Sequence, residues 1–294
     1  MGNIRKTGKF VKLERRCISS DKGITLIELM VAMAVAGIVL MAIYSAYHTQ
    51  STIYKTQNVE LNMQQNLRGA LYLLEREIRM AGYDMNSTGG FGITSVSDVN
   101  GNSAITFTAD LNNDSNQAPD LDDVGALDGN ETLSFYMYDS GETPSVGILD
   151  IALRIGGTAS LAAESIQALC LAYAYDNDGD GRLDLSANGN VIWAIDSDND
   201  NDLDRNLDTN DDGEIDINDN IAGTSIGGSD VAVGNIRAVK AWILARTKTP
   251  LTQYQDNNVY VVGNRRISPT ALGTRKYKHQ LLVSTINCRN LGMQ

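Results

Sequence analysis

Between Asp176 and Asp219 the chain sets fifteen acidic residues against two basic ones, a net charge of −13 in 44 residues. Carboxylates at that density repel one another, and the segment should be disordered unless a cation neutralises it. Spacing suggests which cation. Asp208, Asn210, Asp212, Asp216 and Asp219 stand at positions 1, 3, 5, 9 and 12 of a loop, with Gly213 at position 6 and Ile215 at position 8. Glu214, at position 7, need supply only its backbone carbonyl. Hard oxygen donors wrapped around a sharp turn at a glycine are suited to Ca2+.

This ligand order is that of an EF-hand-type loop. Asp219, where Glu is usual, resembles the last ligand of dockerin-type loops and has a shorter reach for bidentate ligation. Asp176, Asp178, Asp180, Arg182 (through its carbonyl) and Asp184 repeat the first nine positions, with Gly181 at position 6. Ala187 falls at position 12, so this site is partial. Asp196, Asp198, Asp200, Asp202 and Asp204 form a third ladder that lacks the glycine and could share an ion with a neighbour. Against all three stands the simpler reading of a solvated acidic loop.

A different chemistry marks the N-terminus. Arg5, Lys6, Lys9, Lys12, Arg15, Arg16 and Lys22 precede an apolar run, Ile24 to Tyr44, whose single charge is Glu28. About 20 apolar residues span a bilayer, and basic residues ahead of the span hold that side in the cytoplasm. A carboxylate inside such a span costs a few kcal/mol or more unless it finds a partner. The segment Gly23-Ile-Thr-Leu-Ile-Glu-Leu29 resembles the class III signal of type IV pilins and pseudopilins. That resemblance implies cleavage between Gly23 and Ile24 by a membrane prepilin peptidase, followed by methylation of the new N-terminus. It also implies that Glu28 pairs with the N-terminus of a neighbouring subunit in a filament. Ile24 stands where most pilins have Phe, and the leader is long. The alternative is a plain signal anchor. A secretory signal would need a small-residue cleavage site, and Ala42-Ile-Tyr-Ser-Ala46 is a poor one.

These sites need elements to carry them. Beyond Tyr47 the run turns amphipathic, with Leu67, Leu71, Leu74, Ile78 and Ala81 on one helical face. Arg68, Glu75, Arg76, Glu77 and Arg79 fill a solvated face. Gly82 is the first stop signal, so one helix should run from Ile24 to Ala81, about 87 Å at 1.5 Å per residue. Gln65-Asn-Leu-Arg68 and Ala70 to Tyr83, with its Arg-Met-Ala-Gly-Tyr ending, are similar to the PilW-type minor pilins. Gln280-Leu-Leu-Val-Ser-Thr-Ile-Asn-Cys-Arg-Asn290 is similar to that family's closing strand.

After Gly82 the helical period gives way to short runs rich in β-branched and aromatic residues, separated by Gly, Asn, Asp and Ser. They are 104–109, 131–138, 148–155, 166–175, 191–195, 236–247, 259–262 and 280–287. The expected fold is α+β: a type IV pilin-like long helix, transmembrane and then amphipathic, packed on an antiparallel β-sheet head with an acidic calcium-loop insertion. The divisions are a leader at 1–23, the helix at 24–82 with its transmembrane part at 24–47, and a β-rich head at 83–294 holding the insertion at 176–220.

Without the leader the chain has 17 basic and 34 acidic residues, net −17, which disfavours nucleic acid as a partner for the head. Cys170 and Cys288 would remain, and in an oxidising compartment they could pair. His48 and His279 suggest no catalytic pairing, and no phosphate loop or zinc spacing occurs. Tyr173, Tyr175, Trp193 and Trp242 lie in strand-like runs and read as core. The reading is a PilW-like minor pilin, not an enzyme. It would be an inner-membrane precursor with a periplasmic head, cleaved by prepilin peptidase and joined to other minor and major pilins in the pilus. Its expected role is to assist initiation of assembly near the tip. The alternatives are a pseudopilin of type II secretion and a calcium-dependent pilus-borne adhesin.

Overall fold

The computed structural model describes residues 23–84, 90–99, 102–110, 131–139, 141, 149–227 and 230–292. They fall into two compact units, 1–54 and 55–294. The helix α1 (Leu26–Met80) contributes to both. Apart from Gly23, the leader lies outside the described residues. In the first unit the large apolar side chains from Ile24 to Tyr47 are exposed. Among the described residues this is one helix long and apolar enough to cross a membrane.

In the second unit α1 buries Leu67, Leu74 and Ile78, with Ala81 just past its end, from the face predicted by spacing, and adds Met63 and Ala70, whereas Leu71 is only half-buried. Glu77, expected on the solvated face, is instead buried, its carboxylate accepting from the Arg76 guanidinium. The helix has 55 residues and stops at Met80. Gly82 turns the chain with φ +74°, and its N–H donates to the Thr108 carbonyl at 2.9 Å. A Cβ there would sit 2.1 Å from Leu291 Cδ2, so the stop requires glycine. Asn290, near the C-terminus, donates from Nδ2 to the Arg79 carbonyl at 3.2 Å and satisfies one of the helix's last acceptors.

In chain order the strands begin with β1 (Ile93–Val99), β2 (Asn102–Thr108), β3 (Thr132–Tyr138), β4 (Leu149–Ile155) and β5 (Thr158–Tyr175). Five two-residue strands follow: β6 (Ala194–Ile195), β7 (Asp202–Leu203), β8 (Arg205–Asn206), β9 (Thr224–Ser225) and β10 (Val231–Ala232). Then come β11 (Ile236–Arg246), β12 (Tyr260–Val262), β13 (Arg265–Ile267) and β14 (His279–Asn287). All pairings are antiparallel. β1 to β5 form a meander, and β5 then continues beyond β4 to pair along its second half with β11, which pairs with β14. The long helix against an antiparallel sheet is the α+β arrangement expected.

The second half of β5 is buried on both faces. Leu169, Leu171, Tyr173 and Tyr175 join the cluster that includes the helix residues. Ala168, Cys170, Ala172 and Ala174 face a second cluster with Trp193, Leu207, Trp242 and Val262. The four aromatic residues read as core are all buried. The open pairing of Cys170 with Cys288 is not made: both are free, and they belong to different clusters. Alternation along a strand puts neighbouring side chains on opposite faces, and here it turns the two sulfurs to opposite sides of the sheet. Gly263 (φ +55°) closes over Cys170, where a Cβ would lie 2.1 Å from the sulfur. Burial pushes the Cys170 thiol up to about 11 and the Cys288 thiol to about 12.

Folded protein at pH 8 should therefore leave both thiols unalkylated by iodoacetamide, whereas denaturant should expose both. An intact-mass change on reduction of Cys170 and Cys288 would contradict the separation of the two faces.

Candidate metal-binding loops and the N-terminal segment

The three acidic ladders leave one end of the sheet. Residues 176–184 follow β5 directly, and the Asp184 N–H returns to the Tyr175 carbonyl at 2.8 Å. Residues 196–204 form the tip of a hairpin, since β6 pairs with β8. Residues 208–219 lie in the connection between β8 and β9, themselves paired.

Each loop begins with a buried aspartate that draws backbone N–H groups onto both of its oxygens. Asp176 accepts from Gly179 (2.7 Å) and Gly181 (3.0 Å). Asp196 accepts from Asn199 (2.6 Å) and Asn201 (2.9 Å), and Asp208 from Asp212 (3.2 Å) and Gly213 (2.8 Å). The residue at position 5 then accepts from the N–H at position 7: Asp180 from Arg182, Asp200 from Asp202, Asp212 from Glu214. Position 4 is left-handed in all three loops, at Gly179, Asn199 and Asp211. So is position 6, at Gly181 (φ +81°), Asn201 (φ +76°) and Gly213 (φ +89°). The third ladder, read as lacking its glycine, thus makes the same turn with asparagine, the residue that best tolerates that region after glycine. Alternation of Asn with Asp at 199 and 201 was the signal for it. These turns also answer the expected disorder, because backbone donors hold the carboxylates in place.

The loops differ in where their oxygens point. One carboxylate oxygen from each of Asp176, Asp178 and Asp184 lies within 4.8 Å of the others, and the same holds for Asp196, Asp198 and Asp200. Such acidic clusters could hold a metal ion. Burial, together with repulsion from Asp178, Asp176 and Asp180, pushes the Asp184 carboxyl up; burial, with Asp200 and Asp198, does the same at Asp196. In the 208–219 loop Asp219 is committed elsewhere. Its Oδ1 accepts from the Thr209 N–H (2.7 Å) and hydroxyl (3.1 Å), and its Oδ2 from the Asp216 N–H (2.8 Å). Asp212 Oδ2 accepts from Asn210 Nδ2 at 2.8 Å. Arg266 clamps the back of this loop by donating to the Asp216 and Asp219 carbonyls.

The 196–204 loop does more than fold. Asn201 Oδ1 accepts from the Val96 N–H (3.0 Å), and its Nδ2 donates to the Thr94 carbonyl (3.1 Å). Asn199 Oδ1 accepts from the Asp98 N–H (2.8 Å). These partners lie on β1, at the end of the strand order, so the loop's amides cover backbone groups that an edge strand leaves open.

At the N-terminus, Glu28 Oε2 accepts from the Thr25 N–H (2.9 Å) and hydroxyl (2.8 Å), and the Thr25 hydroxyl accepts from the Glu28 N–H (3.3 Å). This is a capping box, and it starts α1 two residues after the apolar run begins. The Thr-x-x-Glu spacing announced it, although the carboxylate reads first as a charge stranded in a span. Gly23 has open space where a Cβ would go.

Residues 18–44 match the family model of the prokaryotic N-terminal methylation motif. No curated protein matches the chain. A type IV-like pilin from Thermus thermophilus is similar in structure at 12% identity, with a TM-score of 0.40 over 79% of this chain and 99% of that one. The segment around Gly23 and Glu28 is thus of the N-terminal methylation type, on an apolar helix fit to anchor a precursor.

Asn201→Ala should lower stability by about 2–3 kcal/mol, combining two lost hydrogen bonds with a left-handed alanine. Asn201→Gly, which keeps the turn, should cost less. Urea denaturation of the two variants measures the difference, and equal losses would mean that the turn itself carries no strain.

Proposed function

We propose that the chain is a PilW-like minor pilin: a prepilin cleaved between Gly23 and Ile24, methylated at Ile24, and taken into a type IV pilus. The methylation motif over residues 18–44, with Glu28 inside it, carries this reading. Cleavage would place an ammonium group near Glu28, and an ionised carboxylate among packed apolar helices is tolerated when paired. The capping box occupies Glu28 with Thr25, an intramolecular partner that the N-terminus of a neighbouring subunit would replace on assembly. Before assembly the head would stand in the periplasm. The partners on this reading are prepilin peptidase and other minor and major pilins. The role is structural: to help initiate the filament beneath a tip subunit that lacks such a glutamate.

We further propose that Ca2+ binds the acidic insertion. Asp176, Asp178 and Asp184 with Asp180 and the Arg182 carbonyl would hold one ion, and Asp196, Asp198 and Asp200 a second. Asp208, Asn210, Asp212, the Glu214 carbonyl, Asp216 and Asp219 would hold another once Asp219 turns from its backbone donors. Hard oxygen donors without histidine or thiolate fit Ca2+.

Two experiments test these readings. Gly23→Leu should block loss of residues 1–23 by intact mass, while Glu28→Ala should be cleaved normally yet fail to co-purify with sheared pili. Wild-type levels of Glu28→Ala in filaments would reject the pairing as the recruiting step. For the metal, calorimetry on the whole chain in detergent should show uptake at roughly 10⁻⁴–10⁻³ M, with stabilisation of about 2.7 kcal/mol at a hundredfold excess over Kd. Asp176→Ala and Asp196→Ala should each remove part of the uptake, and Asp208→Ala with Asp212→Ala a further part; no uptake by the parent chain would return all three to solvated loops.

A further inference from the structure

The first acidic loop lacks its last ligand, and the fold shows why. After Asp184 the chain enters a hairpin closed by the Leu185–Val191 bridge, and the Ile192 N–H returns to the Asp184 carbonyl at 3.3 Å. The tip of that hairpin is tied to another loop. Ser186 Oγ and the Asn188 N–H donate to the Asp211 carboxylate, and Asn190 Nδ2 donates to the Asp211 carbonyl at 2.8 Å. Ala187, at position 12, is carried on this tip toward the 208–219 loop. An EF-hand-type loop places a bidentate acid there; in the 176–184 loop that part of the shell falls to water or to an oxygen from outside.

A cavity of about 470 Å³ borders the same loop, within the size range of small-molecule sites. Asn177, Asp178, Asp180, Arg182 and Asp184 line it, which are positions 2, 3, 5, 7 and 9. Leu183, Leu185, Ile192 and Ile226 give it apolar walls. Tyr175 lines it too and is only 4% exposed. The Tyr175 hydroxyl has no hydrogen-bond partner among the described residues, yet, unlike that of Tyr173, it is not sealed from water. It therefore opens on the cavity as a donor and acceptor that the protein does not use.

The charges narrow the choice of ligand. Asp176, Asp178, Asp180 and Asp184 stand against Arg182 and against Arg237, which lies 4.0 Å from Asp176. The balance is two negative charges, which one Ca2+ cancels. Asp230, beside the lining Val231, is exposed, and the rest of the insertion stays acidic. An anion is then repelled, and the lining offers little net charge to a further cation. A neutral ligand rich in oxygen fits best.

Resting on the calcium reading of the 176–184 loop, we propose that this cavity binds a carbohydrate through a pair of vicinal hydroxyls. Hydroxyl oxygens are hard donors of the kind the open part of the shell accepts. Their protons go to Asp178 Oδ2 and Asp180 Oδ2, since the backbone donors fall on the Oδ1 atoms. The Tyr175 hydroxyl bonds a further hydroxyl, and Leu183, Leu185 and Ile192 meet the apolar face of the ring.

The test uses the whole chain in a polyoxyethylene detergent, which carries no sugar headgroup. Calcium is titrated first by calorimetry. The methyl glycosides of mannose, galactose and fucose are then titrated separately at saturating calcium, by calorimetry and saturation-transfer NMR. At least one should bind saturably, and EDTA should abolish that binding. Tyr175→Phe should leave calcium uptake unchanged and weaken the glycoside about tenfold. Leu185→Trp, at a position 56% exposed, should also take up calcium normally and exclude the glycosides by filling the cavity. Calcium uptake that falls in Asp176→Ala, with no glycoside bound by the parent chain, would overturn this inference and leave the calcium reading standing. No calcium uptake at all would remove both. Glycoside binding that persists in EDTA, or that neither Tyr175→Phe nor Leu185→Trp diminishes, would also reject the site.

Discussion

The pairing of β5 with β11 is the interaction on which the other features rest. Nine residues of β11 are matched to β5 in register, from Ile236 opposite Tyr175 to Ala245 opposite Ile166. Because this pair is covered on both faces, its side chains must be apolar or small on each. The residues toward the helix are large, Leu169, Leu171 and Tyr173, whereas those on the other face are Ala168, Ala172 and Ala174. That asymmetry lets Trp193 and Trp242 pack closely on the alanine face. It also fixes the ends of the pair: β5 delivers Asp176 to the mouth of the first acidic loop, and β11 carries the buried Arg246 to the opposite end, against the Tyr277 ring.

The acidic insertion shows how a chain can concentrate negative charge and still fold. A carboxylate that accepts two backbone N–H groups is stabilised in its charged form even when buried. Asp176, Asp196 and Asp208 each accept two backbone N–H groups through one residue pattern, and two left-handed positions bring the donors round. Repulsion is not removed, since Asp184 and Asp196 remain raised by burial and by their neighbours. Lys240 provides partial relief from beneath. It sits over the rings of Trp193 (5.2 Å) and Trp242 (5.5 Å), loses basicity chiefly to burial, and is supported by the charges of Asp208 and Glu214.

Most of the scaffold was legible in the residues because burial and period agree there. The helical face of Leu67, Leu74 and Ile78, the stop at Gly82, and the strands at 131–138, 148–155 and 236–247 all coincide with structure to within a residue or two. What escaped has a physical reason in each case. The first half of β5, Thr-Ala-Ser-Leu-Ala-Ala-Glu-Ser, has few β-branched residues and is largely exposed, so it lacks both propensity and alternation; it is a strand because β4 pairs with it. β1 is half-polar and edge-placed. The acidic ladders were visible as ligand sets, but which of them gather their oxygens depends on competing backbone donors. Asp219 illustrates this: its position-12 spacing is right, and four N–H and O–H groups, from Thr209, Asn210 and Asp216, claim it first.

If cations occupy the insertion, their effect would extend beyond the loops. The 196–204 turn holds the amides of Asn199 and Asn201 against β1, and the same turn sets the oxygens of Asp196, Asp198 and Asp200. An ion that stiffens the turn would therefore also hold the cover on the sheet edge, because both sets of groups hang from one short stretch of backbone. With −13 of the head's charge gathered at this end, an ion in the 196–204 loop would remove repulsion and secure an edge strand at once. That coupling gives a physical reason for part of the charge to sit on the hairpin turn beside β1, since the same carboxylates spread over the surface would be solvated and would order nothing.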